Sequence, residues 1–107
     1  MKPTWLAAFA CLGLLACGGE DGRADDILAL DADHANGADV YAASCEECHA
    51  ADGSAVDGSF QLAGKDIRGE SQEEIVETIL NPPAGMLDFS SLSDQDIADV
   101  SGHAESL

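Results

Sequence analysis

Three residues within a run of five could do chemistry together. Cys45 and Cys48 are separated by two glutamates, and His49 follows the second cysteine directly. Residues three apart on a helix project from nearly the same face, so both thiols could reach the two vinyl groups of one haem as thioethers. The imidazole of His49 would then lie beneath the ring and could bind its iron. The motif predicts covalent attachment of one haem c.

Three other uses of the cysteine pair are weaker. A redox dithiol of the thioredoxin type should follow a strand and begin a helix, whereas a helix is predicted before Cys45. A zinc site would need further ligands, but only His34 and His103 remain and no second cysteine pair exists in the domain. A structural disulfide between Cys45 and Cys48 stays possible, although it would not explain His49.

Helices are predicted on both sides of this motif. Apolar spacing and capping residues place them over residues 37–48, 71–81 and 93–107. Asn36 is a possible cap of the first helix, and Ser71 with Glu74 forms a capping-box pattern at the start of the second. Residues 52–69 are rich in glycine and predict an irregular loop. Without a convincing strand, the predicted fold class is all-α.

The domain has too few large apolar side chains to fill a core by itself. Residues 37–107 contain long loops and no tryptophan, in a domain near the size limit for independent folding. A haem is a flat apolar disc that three short helices with loops could wrap. The composition therefore favours the same cofactor as the motif does.

The first 16 residues predict a secretory signal peptide. They combine one lysine with an apolar run that is too short to span a bilayer comfortably. Residues 14–17, which end at Cys17, resemble the lipobox of a bacterial lipoprotein signal, so Cys17 would become the lipid-carrying N-terminus. A plain signal peptide or an uncleaved anchor is the alternative. The predicted location is the periplasmic side, with a lipid anchor in the inner or outer membrane.

The acidic charge of the residues after position 16 limits which partners the protein can bind. Residues 17–36 are rich in glycine, alanine and aspartate and predict an acidic flexible tether, although Ile27 to Leu30 could dock as a helical turn. Without residues 1–16, three basic residues against 21 acidic ones give a formal charge of −18. This charge excludes nucleic acid and favours a redox partner with a basic docking face.

The domain at residues 37–107 resembles the small class I c-type cytochromes. The matching positions are Gly37, Tyr41, the motif at 45–49, residues 51–53 and 62–64, Met86, Phe89 and residues 92–100. The resemblance implies a cytochrome c-like domain of about three short helices around one covalent haem. It also implies that His49 and Met86 are the axial iron ligands, and a thioether ligand raises the reduction potential.

The implied function is one-electron transfer, because two protein ligands would close both axial positions of the iron. The protein would be an electron carrier rather than an enzyme, and a monomer or a subunit of a complex. Two other classes stay open. One is a fixed haem-bearing subunit of a membrane oxidoreductase, and the other is a haem-based sensor or weak peroxidase in which Met86 leaves the iron.

Several positions depart from the family pattern. Ala50 replaces the glycine common after the axial histidine, and Phe60 occupies the place of the proline whose carbonyl usually orients that histidine. Gly102 and His103 stand where the last helix usually has a bulky aromatic. They predict a weakened helix crossing and a higher melting temperature when Gly102→Ala and His103→Tyr are combined. His103 is an alternative iron ligand if Met86 does not bind.

Overall fold

The computed structural model describes residues 19–107, with side chains from Gly22 onward. The elements of this part are α1 (Gly19–Leu28), α2 (His34–Ser44), α3 (Glu46–His49), β1 (Val56–Asp57), β2 (Phe60–Gln61), α4 (Gln72–Leu80) and α5 (Asp94–Glu105). The all-α fold class is confirmed, since β1 and β2 are two-residue strands of one antiparallel hairpin. The predicted signal peptide and Cys17 lie outside the described residues.

The core lies where α2, α4 and α5 meet. Tyr41 of α2, Val76 of α4 and Ile97 of α5 are almost completely buried there. The predicted apolar faces of α4 and α5 are the ones that face this core, because residues three and four apart share one side of a helix. None of the helices within residues 19–107 has the length and apolar character needed to cross a membrane.

The start of α4 follows the sequence prediction. Ser71 Oγ accepts a hydrogen bond from the backbone N–H of Glu74, and the Glu74 carboxylate accepts one from the N–H of Ser71 at 2.8 Å. This capping box satisfies two N–H groups that the first turn leaves without helical partners. The helix ends at Leu80, just before Pro82 and Pro83.

The start of α2 differs from the prediction. Asp33, rather than Asn36, is the N-cap, because its carboxylate accepts the backbone N–H groups of Ala35 and Asn36. The side chain of Asn36 instead donates to the carboxylates of Asp96 and Asp99 in α5, at 2.9 and 2.8 Å. A tertiary contact therefore occupies the side chain that the local pattern assigned to capping.

The segment from Gly22 to Leu28 is part of the folded unit, so the prediction of a flexible tether is wrong there. Ala24 and Ile27 of α1 are 7% and 0% exposed and belong to the core cluster. Ala24, Ile27 and Leu28 share one helix face, and α1 packs against α4 and α5. The sequence pattern also allows Ile27 to Leu30 to dock as one helical turn. The docked helix is longer than that and ends at Leu28. Covering this apolar face favours a helix despite the acidic composition of the segment.

The crossing of α2 and α5 is close. A Cβ atom on Gly37 would lie 2.7 Å from the carbonyl carbon of Asp99 and 2.9 Å from the Cβ of His103. The ring of His103 contacts the ring of Tyr41 edge to face, with centroids 5.3 Å apart. His103 therefore supplies an aromatic contact at this crossing, and Gly37 lets the two backbones approach.

Gly102→Ala is expected to destabilise the protein, in contrast to the sequence prediction. A Cβ atom at position 102 would lie 2.7 Å from the Cβ of Ala32, closer than packed carbon atoms tolerate. We expect the free energy of unfolding to fall by about 1–3 kcal/mol despite the better helix propensity of alanine. Thermal unfolding of the single variant measures this effect. A melting temperature at or above that of the parent protein would contradict it.

The buried carboxyl of Asp99 should make part of the free energy of unfolding depend on pH. Asp99 is 2% exposed. Burial acts to raise the pKa of its carboxyl, but hydrogen bonds from Asp33, Asn36 and Gln95 outweigh burial and hold the pKa below its ordinary value. A lowered pKa contributes stability above the unfolded pKa, and this contribution is lost as the pH falls through the folded pKa.

The measurement is denaturant unfolding of the parent protein and of Asp99→Asn between about pH 6 and pH 3. We expect Asp99→Asn to be less stable near neutral pH, because an amide NH₂ would face donor groups. The difference in free energy should shrink in acid. Asp39→Asn, at an exposed position of α2, is the control. A difference that stays constant over this range would contradict the role given to the Asp99 carboxylate.

Candidate functional site

The cysteine motif lies at the junction of two helices. Cys45 caps the C-terminus of α2 through its N–H bond to the carbonyl of Tyr41, and it is also the N-cap residue of α3. The N–H groups of Cys48 and His49 both bond to the carbonyl of Cys45, at 3.2 and 3.0 Å. One short helical turn therefore holds both cysteines and the histidine. No disulfide joins Cys45 and Cys48, and both residues are partly buried.

These side chains line a cavity of about 380 Å³. Cys45, Cys48 and His49 contribute to its wall, and so does Met86 from the segment between α4 and α5. The apolar residues that complete much of the wall are Ile67, Ile75, Ile79, Phe89 and Val100. The structure thus brings all four predicted haem-binding side chains to one largely apolar cavity. Two thiols, an imidazole and a thioether are the donor set that a haem c requires, so the cavity fits that cofactor.

The backbone of Lys65 orients His49. His49 Nδ1 lies 2.8 Å from the carbonyl oxygen of Lys65, which makes Nδ1 the donor and leaves Nε2 as the nitrogen with a free lone pair. The sequence prediction had assigned this carbonyl to Phe60. That prediction is wrong, because the carbonyl bonded to His49 Nδ1 is that of Lys65, whereas Phe60 lies in β2.

Gly64 explains why the carbonyl comes from Lys65. Its N–H donates to the carbonyl of Cys48 at 2.7 Å, which brings residues 63–65 against α3. A Cβ atom on Gly64 would lie 2.7 Å from His49 Nδ1, so only glycine permits this approach. The sequence signal was present in the family resemblance at residues 62–64, but spacing alone did not connect it to His49.

Tyr41 is a second residue that reasoning from the motif alone did not assign to the site. Its hydroxyl donates to the carbonyl of Ala50 at 2.6 Å, directly after the histidine, and its ring lines the cavity. Burial is the main reason that the pKa of Tyr41 is raised to about 12, so this hydroxyl keeps its proton under ordinary conditions. The bond ties the turn after His49 to α2.

Ala50→Gly is expected to stabilise the protein by about 1 kcal/mol. Ala50 has φ +67° and ψ +163°, a backbone conformation that strains residues with a Cβ atom. This strain explains why glycine is common at the position in the family. Denaturant unfolding measures the change, and Ala51→Gly at the exposed neighbouring position is the control. Equal destabilisation by both exchanges would contradict the assignment of strain to Ala50.

The electrostatics of Cys45 argue against a redox dithiol. Burial, with a smaller effect of the nearby Cys48, raises the pKa of the Cys45 thiol to about 11. Dithiols of the thioredoxin type depend on a lowered thiol pKa, since the thiolate is the reacting form. The motif also follows a helix, not a strand.

Other potential ligands do not assemble into a second site. Across residues 19–107, no group of three or more His, Cys, Asp and Glu side chains is arranged to hold a metal ion. His103 packs against Tyr41 and is not one of the residues that line the cavity. Lys65 and Arg68 pair with Glu70 and Asp66, at 2.9 and 2.7 Å.

Comparison with known protein families identifies the domain. Residues 32–103, which are 72 of the 107 residues, match the family described as cytochrome c oxidase, cbb3-type, subunit III. Curated proteins and solved structures gave no significant match. The matched segment includes the cavity residues from Cys45 to Met86, and a cytochrome c domain of this kind carries covalently bound haem c. The chain therefore belongs to the cytochrome c oxidase, cbb3-type, subunit III family, and it is a c-type cytochrome.

Proposed function

We propose that this chain is a membrane-anchored periplasmic electron-transfer protein that binds its haem through Cys45, Cys48, His49 and Met86. The observation that carries the proposal is that these four side chains line one largely apolar cavity. The Lys65 carbonyl accepts a hydrogen bond from His49 Nδ1, which leaves Nε2 available to bind iron. The family supports an electron-transfer role in a membrane-associated oxidase complex.

Each residue has a separate task in this proposal. The thiols of Cys45 and Cys48 would form the two thioether bonds, and His49 Nε2 and the Met86 sulfur would bind the iron. When bound, haem c supplies an iron that gains and loses one electron. The hydrogen bond from His49 Nδ1 to the Lys65 carbonyl holds the imidazole in one tautomer and orientation.

The lining of the cavity supports electron transfer over substrate chemistry. Ile75, Ile79 and Val100 come from α4 and α5 and keep much of the wall apolar, which limits access of water. Met86 would occupy the iron position that a sensor or peroxidase would leave open for a small ligand. The thioether also raises the reduction potential relative to a second histidine.

The acidic composition supports a basic partner. The chain carries 21 acidic and 4 basic residues, and Glu46, Glu47, Asp52 and Asp57 line a second groove beside the motif. A basic face on the electron donor or acceptor would be attracted to this surface, and added salt would weaken that attraction.

The family favours a second candidate function that also uses haem c for electron transfer, in which the chain is a permanent subunit of an oxidase.

Absorption spectra of protein made in a host with cytochrome c maturation machinery test the haem site. Colour should stay with the polypeptide after extraction with acidified acetone, and the reduced bands should be sharp and low-spin. The double variant Cys45→Ala, Cys48→Ala should lose its colour on extraction. Ser44→Ala, at a neighbouring position of the same cavity wall, is the matched control and should retain it. Haem that is extractable from the parent protein would refute the site.

Detergent phase partition of the mature protein tests the anchor. A lipid on Cys17 should carry the parent protein into the detergent phase, whereas Cys17→Ser should stay in the aqueous phase. Equal partition of both proteins would refute the lipid on Cys17 and would leave the haem site unaffected.

A further inference from the structure

Arg23 connects α1 to the segment that carries Met86. We call residues 81–93, between α4 and α5, the Met86 loop. The Arg23 guanidinium donates from Nη1 to the carbonyl of Ser90 at 2.8 Å and from Nη2 to the carbonyl of Leu92 at 3.0 Å. Its Nε donates to Asp94 Oδ1 at 2.9 Å. Three donors of one rigid group thus hold the end of the loop and the start of α5, which a lysine could not do.

The internal bonds of the Met86 loop are all short-range. The N–H of Met86 bonds to the carbonyl of Pro83 and that of Leu92 to the carbonyl of Phe89, both at 3.1 Å. The N–H of Ser90 bonds to the Asp88 carboxylate at 2.9 Å. These turns give the loop its local shape. In the described part of the chain, Arg23 supplies the hydrogen bonds that the loop receives from outside α4 and α5.

The helix that carries Arg23 is itself fixed to the domain. Ile27 and Ala24, on the same helix, lie in the core cluster and are 0% and 7% exposed. The helix packs against α4 and α5, the two helices that flank the Met86 loop. Arg23 therefore extends from a packed helix, although its own side chain is 36% exposed.

We propose that Arg23 is a positioning residue for Met86 and that α1 is thereby part of the ligand-holding structure. Its contacts with Ser90 and Leu92 fix the C-terminal half of the loop and so favour the arrangement in which Met86 lines the same cavity as His49. Hydrogen bonds from a charged donor are stronger than those between neutral groups. When such a bond is lost, the carbonyl loses its protein donor and must bond to water instead. The inference rests on the proposed ligation by Met86. Arg23 does not line the cavity, so it acts through the loop backbone.

The test is the rate at which carbon monoxide binds to the reduced holoprotein, because the gas can bind only after the sulfur leaves the iron. We expect Arg23→Gln to raise this rate about tenfold, the fold-change expected from one lost charge-assisted bond. Arg23→Lys should also raise it, since lysine keeps the charge but not both carbonyl bonds. Proton NMR of the reduced protein supplies a second readout, because the ring current shifts a bound methionine methyl signal far upfield.

Two control variants separate positioning from stability. Asp94→Asn keeps an oxygen that can accept from Arg23 Nε, and Ile27→Val removes one core methylene from α1 but leaves the three hydrogen bonds of Arg23 in place. Both should bind carbon monoxide at about the parental rate. Parental rates and an unchanged methyl signal in both Arg23 variants would overturn the inference, as would an equal acceleration by Ile27→Val. A parent protein without the upfield methyl signal would instead overturn the ligation by Met86.

Discussion

Met86→Ala is expected to lower the reduction potential by on the order of 0.1 V, within the roughly 0.8 V range that axial ligands span. In the proposed ligation the Met86 thioether would stabilise reduced iron, so its removal should favour the oxidised state. The variant should also bind carbon monoxide rapidly in the reduced state, because water or an empty position would replace the sulfur. Redox titration and mixing with carbon monoxide measure the two effects.

The neighbouring residue provides a matched control for Met86. Leu87 also lines the cavity and is 67% exposed, but it has no atom that could bind iron. Leu87→Ala should leave the potential and the carbon monoxide kinetics close to those of the parent protein. If Met86→Ala behaved like Leu87→Ala, another residue would be the ligand, and His103→Ala would then be the next variant to measure. If the parent protein already bound carbon monoxide rapidly, the sensor or peroxidase class would replace electron transfer.

Gly37→Ala is expected to lower the free energy of unfolding by about 3 kcal/mol or more, the upper range for overpacking in a core. The added Cβ would lie within 3 Å of both the Asp99 backbone and the His103 side chain. Backbone cannot move aside as a flexible side chain can, so α2 and α5 would have to separate. That separation would also disturb Tyr41, whose hydroxyl bonds to the carbonyl after His49.

Denaturant unfolding of the holoprotein measures the effect of Gly37→Ala. Gly22→Ala is the matched control, since it makes the same exchange within a helix where a Cβ would meet nothing within 4 Å. This control should stabilise the protein by about 0.5–1 kcal/mol through helix propensity. A Gly37→Ala variant as stable as the control would show that the two helices do not approach as closely as the structure indicates.

Short-range features of this protein could be predicted from its sequence. The capping box of Ser71 and Glu74, the stop before Pro82 and the start at Ser93 depend on residues within one helical turn, and all three agree with the structure. The spacing of Cys45, Cys48 and His49 predicted the cofactor for the same reason, because one turn of chain holds all three. The shortage of core residues predicted that a further group was needed, and the cavity lies where that group would fit.

Contacts between distant segments had to come from the tertiary structure. The carbonyl that orients His49 comes 16 residues later, from Lys65, and depends on how closely Gly64 approaches α3. The position of α1 depends on the apolar surface that α4 and α5 present, so a segment with a tether-like composition became a packed helix. Gly102 faces Ala32, so a substitution that helix propensity favours is opposed by packing.

The sequence by itself determined the all-α class, the helix ends set by local caps and the cofactor indicated by the cysteine motif. Only the tertiary structure decided which carbonyl bonds to His49, that α1 packs against α4 and α5, and that Arg23 bonds to the Met86 loop. The physical reason is that caps and motif spacing act over a few residues of fixed backbone geometry. Backbone approach and long-range hydrogen bonds instead depend on how all the elements pack together.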